Sequence, residues 1–179
     1  MFKKMFTRFS KVVAAGLVLS FMFLVPGAEA SHWGLSGGLQ THDPTIVRES
    51  GNTWWSASTG TGIGMKYSTN GGKTWTDGLP IFSRPLSWWK KYAPNMTTND
   101  VWAPDLEYYR GRYYCYYSVS EFGKNNSAIG LVSCSSISKG DWRDDGVVLY
   151  SRYGSSKFNA IDPNLSLIHI SEPTRHAQI

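Results

Sequence analysis

Charge is scarce in this sequence. Asp, Glu, Lys and Arg make up 17% of its 179 residues. No basic run follows the first eleven positions, which excludes the usual footprint of a nucleic-acid partner. The apolar run from Val12 to Val25 has 14 residues, short of the ~20 that span a bilayer. Outside that run no segment repeats its apolar residues with a helical period. Cysteine occurs twice, at Cys115 and Cys134, so one bridge is the most the chain can make.

The short apolar run has its own meaning. Lys3, Lys4, Arg8 and Lys11 precede it, and Pro26-Gly27 and Ala28-Glu29-Ala30 follow it. This is the order of a basic region, a hydrophobic region and an A-x-A cleavage site. The expectation is an export signal over 1–30, cut before Ser31, with no membrane attachment afterwards. Removing it takes away four bases and one acid, so the formal net charge falls from +5 to +2. The basic pI therefore owes much to the signal.

What remains is rich in aromatic residues, with eight Trp and ten Tyr in the whole chain. Together with the low charge this suits an exported β-protein and a sugar-facing surface. A pattern recurs through it. From Asp43-Pro44 the order is a strand to Arg48, a turn over 49–52, a strand Thr53 to Ser58, a strand Gly62 to Ser68, and a loop to Trp75. From Pro104-Asp105 it is a strand to Tyr109, a turn at Arg110-Gly111, a strand Arg112 to Ser120, a strand Ala128 to Ser133, and a loop to Trp142. Val147 to Tyr150 then gives a fourth strand. Asp162-Pro163 opens the pattern once more. The three aspartates stand 62 and 57 residues apart, each beside a proline that fixes the backbone and suits the first position of a strand. Four-stranded meanders of about sixty residues, repeated radially, make a β-propeller whose innermost strands line a central channel. The fold class is thus all-β, with two blades and the first strand of a third between 31 and 165. A β-sandwich is the alternative.

Four motifs in order carry a resemblance: His42-Asp43-Pro44, Val101-Trp102-Ala103-Pro104-Asp105, Ser127-Ala128-Ile129-Gly130 and Ile161-Asp162-Pro163-Asn164. They resemble glycoside hydrolase family 43, and within it the endo-acting enzymes that cut α-1,5-linked L-arabinan. The resemblance implies a five-bladed propeller that hydrolyses with inversion. It assigns Asp43 as general base and Asp162 as the carboxylate that tunes the general acid, with Asp105 in the pocket or the framework. The acid itself would be a glutamate on the third blade, some sixty residues beyond Asp162. A central metal ion such as calcium belongs to the complete enzyme, near a histidine of the last blade. No metal ligand is assigned within these residues, and the complete enzyme is expected to act as a monomer on arabinan or arabino-oligosaccharides.

Those roles fit the chemistry. Inversion needs one ionised carboxylate to activate water and one protonated acid to serve the leaving oxygen, ~6.5–9.5 Å apart. A third carboxylate raises the acid's pKa by like-charge repulsion. Glu49, Glu107 and Glu121 are not at a third-blade mouth by motif, so these 179 residues are expected to be inactive alone. Trp88 and Trp89, in the long connection between blades, are candidates for a sugar-binding groove together with Trp102 and Ser127. An exo-acting arabinofuranosidase or xylosidase, or a non-catalytic sugar-binding propeller, are the alternatives. Ser68-Thr69-Asn70-Gly71-Gly72-Lys73-Thr74-Trp75 is similar to a sialidase Asp-box, which reads as a structural turn.

Two further expectations concern the chain's own architecture. The stretch Leu165 to Arg175 breaks the repeat and resembles a translated sequencing adapter, so 166–179 is taken as a non-native tail. The hairpin tip Gly123-Lys124-Asn125-Asn126, reflected about its centre, puts Cys115 opposite Cys134 as a candidate disulfide.

Overall fold

β-branched and aromatic residues broken by glycine turns fold as ten strands and one helical turn, seen in a computed structural model that describes residues 34–166. The expected export signal over 1–30 and the expected tail from residue 167 onward lie outside the described residues. The first sheet contains β1 (Ser36–Gly37), β2 (Thr45–Ser50), β3 (Thr53–Ser58), β5 (Gly64–Ser68) and β6 (Thr74–Asp77), with β4 (Gly60–Thr61) between β3 and β5 in the chain. After the single turn α1 (Trp89–Tyr92) come β7 (Asp100–Tyr109), β8 (Arg112–Ser120), β9 (Ser127–Cys134) and β10 (Arg143–Ser151).

Each sheet is an antiparallel meander of four strands, as the repeat predicts. The orders are β1-β6-β5-β3-β2 and β10-β9-β8-β7-β4. Two short strands go beyond the pattern. β1 adds in parallel to the outer strand β6, Ser36 facing Thr74. β4 leaves the first sheet and pairs with the start of the second, Gly60 facing Val101. The one helical turn, α1, has no amphipathic period behind it. It exists because Trp89 and Tyr92 are both buried from it.

The core lies between the two sheets. Alternation along β8 points Tyr113, Cys115, Tyr117 and Val119 to that side, where they meet Ala57 and Met65 of the first sheet and Phe82 and Trp89 of the connection. Gly130 on β9 is required there. A Cβ on it would come within 2.5 Å of the Tyr117 ring and 2.9 Å of Trp88. The Asp-box-like turn is structural as expected: Asn70 Oδ1 accepts from the Thr74 amide at 2.9 Å and Ser68 Oγ from the Gly72 amide at 3.0 Å.

The cysteine pairing predicted from the hairpin is corrected. β8 and β9 pair so that Cys115 faces Val132 and Cys134 faces Tyr113. The loop runs over Glu121 to Asn126, closed by a bond from the Glu121 amide to the Asn126 carbonyl, so its centre sits one residue earlier than the Gly-Lys-Asn-Asn tip suggests. The cysteines become diagonal neighbours, typically ~7–8 Å apart, beyond the Cα spacing of a disulfide. Both are free, buried thiols.

Candidate functional site

A residue before proline is sterically steered to extended backbone, and left-handed φ is uncommon for any side chain but glycine. Asp43, Ala103 and Asp162 break both rules. Each precedes a proline, and their φ angles are 48°, 33° and 53°. They stand 60 and 59 residues apart, a more even spacing than the three aspartates have. These corners are the true repeat, and Ala103 occupies the second. Such outliers persist only where neighbouring contacts over-determine them.

Those contacts also repeat. The Ala103 amide donates to Thr59 Oγ1 at 2.7 Å, and the Asp162 amide donates to Ser118 Oγ at 3.0 Å. Two residues past each corner, Thr45 Oγ1 accepts from the Leu106 amide at 3.2 Å, and Asp105 Oδ2 accepts from the Leu165 amide at 2.5 Å. Each innermost strand is thus stitched to the next by two side-chain oxygens. Ile161 to Leu165, the expected opening of the third blade, receives these stitches at the Asp162 and Leu165 amides.

The stitches link the two candidate carboxylates. Asp43 Oδ2 accepts from Thr59 Oγ1 at 2.8 Å, Thr59 holds Ala103, and the adjacent Trp102 pairs with Ser118, which holds Asp162. Both carboxylates therefore stand at one end of the sheets and both are exposed. His42 Nε2 lies 3.6 Å from the other oxygen, Asp43 Oδ1.

Three of the residues proposed for substrate are buried. Asp105 is buried and its carboxylate is engaged by the Leu165 amide, so it belongs to the framework. Ser127 is fully buried, bonded to Ser120 Oγ at 2.7 Å and donating to Asn159 Oδ1 at 2.6 Å. Trp89 is 1% exposed and packs edge-on against Phe82. Trp88 is half-buried over Tyr117 and donates to Asp144 Oδ2 at 3.1 Å, on the β8–β10 side of the sheet and away from the innermost strand.

Trp102 remains, and it has a partner that sequence reasoning missed. Phe122, 94% exposed, meets it edge-to-face at 6.4 Å. The two rings line an open cavity of about 380 Å³ with Asp100 and Glu121. They also line a second of about 440 Å³ that reaches Asn159 and Ile161, beside Asp162. A bulky apolar residue at the tip of a hairpin, before Gly123, was the available signal.

The glutamates divide clearly. Burial works against ionisation of Glu121, but bonds from the Asn95 amide, Asn126 and the Asn95 side chain, with Lys124 nearby, prevail and hold its carboxyl below the usual range. Glu49 behaves likewise: burial is outweighed by bonds from Ser138, Ser136 and Trp55. Glu107 is pushed up, by burial first and by Asp105 second. It lies four residues along β7 from Ala103, roughly 13 Å from the mouth at strand rise. Among the described residues, no group of three His, Cys, Asp or Glu side chains could hold a metal ion.

Four-stranded meanders opened by strained corners before proline are the blades of a β-propeller. The pattern of glycosyl hydrolases family 43 matches residues 38–169, and the chain belongs to that family. It is 47% identical over 172 residues to the extracellular endo-α-(1→5)-L-arabinanase 1 of Bacillus subtilis, covering 92% of this chain and 51% of that one. It is 38% identical over 129 residues to the extracellular exo-α-(1→5)-L-arabinofuranosidase of Cellvibrio japonicus, covering 70% and 36%. Its fold superposes on the endo-arabinanase structure from Bacillus licheniformis with a TM-score of 0.67 and 51% identity, over 73% of this chain and 44% of that one. The chain spans about half the length of the first of these relatives. The two sheets are blades of the five-bladed propeller of these enzymes.

Proposed function

We propose that the protein is a secreted, monomeric glycoside hydrolase that cleaves α-1,5-linked L-arabinan with inversion at the anomeric carbon. Asp43 is its general base and Asp162 the carboxylate that tunes the acid. The observation that carries this reading is the linkage of the two carboxylates: hydrogen bonds join Asp43 to Thr59 and Thr59 to Ala103, Trp102 next to Ala103 pairs in register with Ser118, and Ser118 accepts from the Asp162 amide. A binding module does not need two exposed carboxylates held on strained corners at one mouth. Trp102 and Phe122 offer flat apolar faces for a sugar ring beside them.

In the reaction, Asp43 takes a proton from water as that water attacks the anomeric carbon. The glycosidic oxygen leaves with a proton from an acid outside residues 34–166, whose ionisation Asp162 opposes by like charge. Glu121 and Glu49 are held ionised, and Glu107 lies along the strand, so none of them serves as that acid.

The test uses protein expressed from its complete gene, with debranched arabinan as substrate. Changing Asp43→Asn is expected to lower kcat by ~10²–10⁴ while KM stays within about twofold, because the amide keeps the shape and cannot take the proton. Residues 31–179 alone are expected to release no reducing sugar. A wild-type rate in Asp43→Asn removes the proposal. Short oligosaccharides among the products mark endo action, and a single sugar marks exo action.

A further inference from the structure

We propose that Thr59 is a positioning residue for the hydrolysis, and that its hydroxyl decides which oxygen of Asp43 receives the proton from water. The proposal rests on the reading of Asp43 as general base. A threonine hydroxyl has one proton and two lone pairs. The Ala103 amide can only donate, and it occupies one lone pair of Thr59 Oγ1 at 2.7 Å. An ionised carboxylate can only accept, and Asp43 Oδ2 lies 2.8 Å from the same oxygen. The single hydroxyl proton is therefore committed to Oδ2. That bond makes Oδ2 the less basic oxygen and favours Oδ1, the oxygen near His42, as the one that takes the water's proton.

Thr59 also holds the backbone of the same corner. Its own amide donates to the His42 carbonyl at 2.9 Å. One residue thus fixes the His42-Asp43 backbone, the Asp43 carboxylate and the start of the next innermost strand. This is the over-determination that a left-handed residue before proline requires.

Comparison within the chain separates the positioning bond from the fold. Ser118 makes the same stitch to the Asp162 amide one blade later. There the preceding corner carries Ala103, so the hydroxyl has no carboxylate beside it. The amide stitch belongs to both blades, while among the described residues the stitching hydroxyl bonds a carboxylate only at Asp43.

Thr59→Val keeps the shape and removes the hydroxyl; Thr59→Ser keeps the hydroxyl and removes the methyl. In protein from the complete gene, Thr59→Val is expected to lower kcat about 10–100-fold, the effect of a misplaced catalytic group, with KM within about twofold. Thr59→Ser is expected to recover kcat to within about threefold. Wild-type kcat in Thr59→Val, or equal losses in both variants, overturns the proposal. A crystal structure of Thr59→Val reads it without turnover: the Asp43 carboxylate should leave its present rotamer, and an unchanged rotamer overturns the proposal. If Asp43→Asn keeps the wild-type rate, the base reading fails, and the crystal structure still decides whether Thr59 sets the carboxylate.

Discussion

Trp89 and Trp102 carry the same side chain into opposite uses, and their surroundings say which. Trp89 is sealed between Phe82 and Tyr117, with its indole N–H donated to the Tyr117 hydroxyl at 3.3 Å. Truncating such a ring removes its transfer energy and leaves a cavity. Trp89→Ala is therefore expected to cost about 3–5 kcal/mol, read as a lowered urea midpoint. Trp102 is only half-buried and shares an edge-to-face contact with Phe122 at the mouth. Trp102→Ala should raise KM for arabino-oligosaccharides about 2–10-fold, the worth of an aromatic contact of ~0.5–1.5 kcal/mol, and should shift the urea midpoint less than Trp89→Ala does. An unchanged KM would remove Trp102 from the groove. The aspartates show the same division. Asp43 and Asp162 were legible because a proline follows each. Asp105 follows its proline, which moves it two residues out of phase and into the stitch to Leu165.

At the scale of single elements, the β8–β9 hairpin shows how tertiary contacts override a turn signal. Gly123 and the two asparagines mark the tip, but Glu121 accepts from the Asn95 amide of a distant loop at 2.8 Å. That contact fixes where the loop begins and shifts the register. Cys115 and Cys134 thereby miss each other. Burial pushes the Cys115 thiol well above its ordinary range, and pushes Cys134 up to about 12. Neither thiolate forms at neutral pH. A thiol count on native protein is expected to find none reactive, and denatured, unreduced protein should give two. A count of zero after denaturation would restore the disulfide. The helical turn α1 and the strands β1 and β4 were equally invisible in the sequence, since two to four residues carry no period.

For the molecule as a whole, the junction between the first and second sheets has a pH-sensitive fastening. Glu49, near the end of β2, accepts from Trp55 Nε1 at 2.8 Å, Ser136 Oγ at 2.7 Å and the Ser138 amide at 3.0 Å. Its neighbouring carbonyl work is shared: the Glu49 carbonyl accepts from the Tyr113 hydroxyl at 3.2 Å. The carboxyl is held below its ordinary value of 4.5. A group with a depressed folded pKa contributes its stability above the unfolded value and loses it as pH falls through the folded one. Thermal midpoints should therefore fall below about pH 4.5, and Glu49→Gln should flatten that part of the profile while lowering the midpoint at neutral pH. A profile below pH 4.5 identical to wild type would show that Glu49 does not fasten the sheets.

The sequence by itself determined the local grammar. Alternating aromatic and β-branched residues between glycine turns define meanders, and prolines sixty residues apart set the corners where blades begin. That grammar pointed to the propeller, and the resemblance carried by four motifs supplied the family and the two carboxylates assigned to its mouth. Only the tertiary structure decided which polar side chains face solvent and which are consumed in holding the blades together. Asp105, Ser127 and Trp89 are buried, Phe122 stands exposed against Trp102, and Thr59 bonds to Asp43. The reason is physical. Strand periodicity says which residues share a face, but a hydrogen bond between blades joins residues 44 to 61 positions apart, and no local pattern encodes where its partner will stand.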